Sequence, residues 1–89
     1  MEVTIEVNRT IQSKSNVVVE LPYFSVCGNA MYKVYSQEKA LQVAHYPNIE
    51  GSSICQVGSR LAFESDCYET TEALFNEHYE TVINQLNSL

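Results

Sequence analysis

Five side chains could ligate a metal or form a nucleophile–base pair: Cys27, His45, Cys55, Cys67 and His78. Structural zinc sites draw their sulfurs in close pairs such as C-x-x-C, because one turn then delivers two thiolates at tetrahedral geometry. No two cysteines stand that close in this chain. The expectation is therefore of small buried thiols filling core gaps, with no metal site and no cofactor. Cysteine and histidine can meet in space without being neighbours in sequence, and Cys67 lies just ahead of a predicted helix whose dipole would favour a thiolate. No nucleophile elbow accompanies it, so Cys67 reads as a partly exposed thiol beside a helix cap. His45 is in phase with Leu41 and Val43 on a predicted strand and reads as a partly buried imidazole. "GSS" at Gly51 to Ser53 lacks the spacing and the lysine of a phosphate loop. Most carboxylates fall on the outside of a predicted helix, where no pair is set up for general acid and base work. No enzyme activity is expected, and no catalytic residue is assigned.

The elements that must position these residues follow from periodicity. "EVTIEV" alternates Val3, Ile5 and Val7 with Glu2, Thr4 and Glu6, the period of a half-buried strand, and Ile11 stays in phase. "NVVVELPYFSVCG" follows with Val17, Val19 and Leu21 in phase, and Pro22 belongs at an edge, a bulge or a strand end because it cannot donate to a ladder. Gly28-Asn29 is a turn signal between two apolar runs. "ALQVAHY" alternates again, "PNIEGSS" reads as a loop, and "SICQVGSRLAF" as a last pair of short strands or one strand broken near Gly58. Short turns between consecutive strands favour antiparallel pairing, since a parallel pair needs a long crossover.

The sharpest pattern is "YETTEALFNEHYETVINQL". Phe75, Tyr79, Val82, Ile83 and Leu86 draw one apolar stripe at helical spacing. Thr70 or Thr71 supplies an N-cap, and Glu72 falls in the first turn near the positive end of the dipole. The fold class predicted is α+β: one domain over 1–89, a small antiparallel meander of about five strands within 2–63, and one C-terminal amphipathic helix over about 70–87 packed on the sheet. At 89 residues, with 45% hydrophobic and 18% charged, the chain suits one globular domain with a modest core.

Charge is unevenly spread. The net charge is −6. Residues 1–60 balance Glu2, Glu6, Glu20, Glu38 and Glu50 against Arg9, Lys14, Lys33, Lys39 and Arg60. Residues 61–89 carry Glu64, Asp66, Glu69, Glu72, Glu77 and Glu80 with no lysine or arginine. Direct binding to a nucleic-acid backbone needs clustered lysine and arginine and is not expected. A basic protein partner is allowed. No segment has the apolar length to span a bilayer, and the start "MEVTIEVNRT" lacks the basic and apolar regions of a signal peptide. Together with an odd number of cysteines, this predicts reduced thiols and a cytoplasmic setting.

Six tyrosines and three phenylalanines stand in a chain without tryptophan. Tyr23, Phe24, Tyr32, Tyr35 and Tyr46 cluster in the middle of the predicted sheet, and alternation sends some to each face. One helix covers only one face, so aromatics on the other would form a recognition surface or a subunit interface, against the plainer alternative of cross-strand packing. Candidate partner-binding residues are Glu69, Glu72, Glu77 and Glu80 on the helix back, and Tyr23, Tyr32, Tyr35 and Tyr46 on the sheet.

"LPYFSVCGNAMYKVYSQEKAL", followed after a loop by "ETTEALFNEHYETVINQL", resembles small uncharacterised proteins carried by bacteriophages and mobile elements of gut bacteria. The shared layout is an aromatic strand pair, a serine-rich loop and a closing helix, with Thr70-Thr71 here in place of an Ile-Thr helix start. The resemblance implies a phage-type origin and transfers no catalytic residue. Three functions follow as expectations. The first is a non-enzymatic protein acting through protein–protein contact, as an inhibitor or modulator of a host factor. The second is an assembly protein that forms a homo-oligomer through an uncovered sheet face. The third is a small-ligand binder or enzyme built around Cys27, Cys55 and His45.

Overall fold

The computed structural model describes residues 1–10, 13–45, 52–64 and 66–88. Its elements, in chain order, are β1 (Glu2–Thr10), β2 (Ser13–Glu20), β3 (Tyr23–Cys27), β4 (Ala30–Val34), β5 (Lys39–Ala44), β6 (Ser53–Gly58), a 3-10 turn (Ser59–Phe63), β7 (Tyr68–Glu69) and α1 (Glu72–Asn87). Strands β1 and β2 form a two-stranded antiparallel sheet, with Val3 opposite Val19 and Ile5 opposite Val17. The other five strands form a second antiparallel sheet in the order β6-β5-β4-β3-β7. The α+β class, the antiparallel meander and the closing helix are thus as the sequence predicts.

Period-2 alternation divides the five-stranded sheet into two apolar faces. On one, Phe24, Met31 and Val43 pack against Phe75 and Val82 of α1, with Leu41, Ile54, Tyr79 and Leu86 partly buried around them. On the other, Tyr32, Val34 and Ala40 pack against Ile5 and Val7 of β1 and against Ala62 and Phe63 of the 3-10 turn. Both faces are therefore covered. The expectation of an uncovered, aromatic face is corrected, and the reason lies in the first hairpin. Its alternation makes one apolar side that must be buried, and because among the described residues its two strands pair only with each other it becomes a second layer instead of extending the meander. Glu2, Thr4 and Glu6, the opposite parity of β1, are exposed.

Local signals place the connections. Gly28 and Asn29 form the two-residue turn between β3 and β4, and Gly28 takes φ +57°, a left-handed conformation that glycine adopts without a steric penalty. Pro22 sits in the bend between β2 and β3. After Gly58 the chain makes a 3-10 turn in place of a second strand, burying Ala62 and Phe63. Of the two threonines proposed to cap α1, Thr71 does so: its Oγ1 accepts the Leu74 N–H at 3.2 Å. Among the described residues no helix is long and apolar enough to cross a membrane.

Candidate functional site

The short strand β7 settles where the cysteines lie. It pairs antiparallel with β3, Ser25 opposite Glu69 and Val26 opposite Tyr68. One step further along the same register sets Cys27 opposite Cys67. The two are joined in a disulfide, with their Cα atoms 4.5 Å apart across 40 residues of chain, within the Cα range of such bridges. The expectation of reduced thiols is thereby corrected for this pair, and the thiol argument for a cytoplasmic setting fails with it, since such bonds persist in oxidising compartments. Cys55, on the edge strand β6, is free and exposed. Asp66 approaches Cys27 and Cys67 with its ligand atom within 4.8 Å of theirs, but the bond between the two sulfurs removes both as thiolate donors.

The histidines meet elsewhere. His45 follows β5 and donates its backbone N–H to the Asn29 carbonyl at 2.9 Å, extending the β4–β5 ladder. His78, on α1, sits edge-on to it, ring centroids 5.8 Å apart. Nε2 of His78 lies 2.9 Å from the Val43 carbonyl oxygen. A carbonyl can only accept, so Nε2 carries the proton and Nδ1 of a neutral His78 keeps a lone pair. Nδ1 of His45 is buried with no hydrogen-bond partner among the described residues. Cys27 packs on the opposite, hairpin-covered side of the sheet, so the grouping of His45 with Cys27 and Cys55 does not form.

The acidic candidates are placed as a surface. Glu69 is exposed on β7, and Glu72, Glu77 and Glu80 are exposed along α1. The tyrosines separate: Tyr32 is 8% exposed in the core, Tyr23 is half-buried and stacks on Phe63 at 4.9 Å, and Tyr35 is 44% exposed. Tyr46 lies outside the described residues. Burial withdraws Tyr32 as a contact residue, because its strand parity faces the β1–β2 layer.

Two side chains that were not singled out are the prominent exposed apolar groups here, Tyr68 at 68% and Leu74 at 54%. The signal for them was available, since neither belongs to the helix stripe nor to a buried strand parity. Both line a cleft of about 520 Å³ between α1 and the sheet, whose floor includes Val26 and Met31 and whose walls include His45, Glu77 and His78. Thr70 borders this cleft and also a second groove of about 500 Å³ that runs toward β2 past Glu69, Glu72 and Glu20. The two concavities adjoin at Thr70 as an acid-edged trench.

The fold and site define the class as a two-layered antiparallel α+β domain with an acidic, aromatic-edged cleft. Compared with known proteins, the chain matches no protein-family model, no curated protein and no solved structure.

Proposed function

We propose that this is a non-enzymatic interaction protein that binds a basic segment of a partner protein through its β7–α1 surface. One observation carries this: exposed Tyr68 and Leu74 flank a cleft amid Glu69, Glu72 and Glu77, in a third of the chain that contains no lysine or arginine. Large apolar anchors within a charged rim are the composition of protein-binding hot spots. The one-signed field favours fast capture of an opposite charge. The phage-type resemblance extends the proposal to a modulator of a host factor. A chain that keeps Cys27–Cys67 oxidised works in a compartment that tolerates disulfides, and the cytoplasmic setting fits only its reduced form.

Fluorescence anisotropy with labelled basic, neutral and acidic peptides tests the proposal. Basic peptides should bind, and more weakly as salt rises, because exposed charge interactions are screened. Reversing Glu69, Glu72, Glu77 and Glu80 to lysine should abolish that binding; unchanged affinity in this variant would refute the surface.

Homo-oligomerisation is supported by a different feature. Strand β6 ends the five-stranded sheet, and Ser53–Gly58 contains none of the lysine or proline that guards a sheet edge against pairing. Light scattering separates the two readings, since a stable dimer that dissociates on substituting Cys55 by lysine would place assembly at this edge.

A further inference from the structure

We propose that the His45–His78 cleft seats a lysine or arginine side chain of the partner segment, its stem over the apolar floor and its cationic head among the acceptors of α1. This deepens the interaction function proposed above and rests on it. Acceptors and a negative charge line this space beside the Thr70 and Tyr68 hydroxyls, which can turn either way. Glu77 offers a carboxylate. His78 has committed its Nε2 proton to the Val43 carbonyl, and the tautomer this bond selects leaves Nδ1 as an acceptor. The Thr81 hydroxyl donates to the Glu77 carbonyl at 3.0 Å, which leaves it an acceptor toward the cleft. The His45 ring lines the same space. Among the described residues no lysine or arginine lines the space.

An anion would meet the Glu77 charge with no cationic side chain of the described residues to compensate it, and a wholly apolar group would strand the Glu77 carboxylate and the Thr81 oxygen without donors, which is costly once water is excluded. A group with several N–H donors and a positive charge satisfies them. Val26, Met31 and Leu74 supply the apolar contact that a methylene stem requires, and the exposed Tyr68 ring offers a face for a cation. The continuation of the cleft past Thr70 into the groove of Glu69 and Glu72 argues for an extended chain with further residues on either side, not a free small amine.

The test uses short peptides carrying a central lysine or arginine, matched peptides with norleucine or citrulline there, and pentane-1,5-diamine as a free amine. Binding is followed by anisotropy and by backbone amide shifts in the oxidised full chain. Glu77→Gln should weaken the lysine peptide by about ten-fold or more, the usual scale for losing a charge-assisted contact. Thr81→Trp, at an exposed helix position, should fill the cleft and abolish binding while leaving the circular dichroism spectrum unchanged. Shifts should centre on His45, His78 and Leu74. Norleucine or citrulline peptides binding as well as lysine would overturn the cationic seat. So would full affinity in both Glu77→Gln and Thr81→Trp; if Glu69→Gln/Glu72→Gln then weakens binding, the acidic surface survives and only the seat is lost. Equal affinity for the free diamine would overturn the peptide as occupant, and failure of every basic peptide to bind the unaltered chain would overturn seat and surface together.

Discussion

Nε2 of His78 stands 2.9 Å from the carbonyl oxygen of Val43, a direct polar tie between the helix and the central part of the sheet it covers. A second tie, the Ser52 hydroxyl donating to Gln85 Oε1 at 2.9 Å, lies just ahead of β6, and between them the contact is apolar, with Phe24 and Phe75 ring centroids 5.4 Å apart and Val82 fully buried. Apolar contacts fix distance but little else, whereas a hydrogen bond fixes rotation and register.

Removing that donor has a measurable consequence. His78→Ala should lower the unfolding free energy by about 1–2 kcal/mol, the scale for breaking a partly buried hydrogen bond and leaving its acceptor unpaired. His78→Gln, which keeps an N–H donor on a side chain of adequate reach, should recover part of the loss. Urea unfolding checks both through the midpoint at unchanged slope. Equal stability of the alanine variant and the unaltered chain would show that the contact contributes nothing.

The disulfide predicts both a thiol count and a stability change. The native chain should react with a thiol reagent at Cys55 alone, and at all three cysteines only after reduction. Closing a loop of 40 residues lowers the entropy of the unfolded chain by an amount worth about 4 kcal/mol. Cys27→Ala/Cys67→Ala should therefore unfold at markedly lower urea, and the largest gain in amide exchange should fall on β7 and the first turn of α1. That segment carries Tyr68 and Glu69, so peptide binding should weaken along with it. Three reactive thiols in the untreated native protein would contradict the bond.

What was legible in the sequence was what local periodicity decides. The stripe Phe75, Tyr79, Val82 and Leu86 is a property of consecutive turns, so α1 and its threonine cap follow from spacing alone. The alternation of Val3, Ile5 and Val7 fixes which side of β1 is buried but not what buries it, and so the hairpin's role as a second layer stayed hidden. The same gap made Tyr32 look available: its parity was readable, the cover over that parity was not. Cys27–Cys67 depends on the register of a two-residue strand that returns to β3 across 40 residues, and no spacing rule encodes such a return. His45 and His78 belong to a strand end and a helix, whose relative rotation is set only when the core packs.

Ser25 supplies a prediction that runs against the usual direction. It lies in β3 with no exposure, opposite Tyr32 on one side and Glu69 on the other, and its hydroxyl has no hydrogen-bond partner among the described residues. Burying an unpaired hydroxyl costs about 1–3 kcal/mol. Alanine removes the polar atom and leaves a void of about one atom, whose cost is smaller because the transfer and cavity terms both scale with the volume removed. Ser25→Ala should therefore be neutral or stabilise the protein by up to about 1 kcal/mol, whereas most core substitutions destabilise. Ser25→Val tests the space around it: added methyl groups between β4 and β7 should lower stability through overpacking. Thermal and urea unfolding of the two variants decide the matter. Loss of more than about 1 kcal/mol in the alanine variant would mean that the hydroxyl is satisfied in solution, since only a lost partner produces a penalty of that size at so small a change in volume.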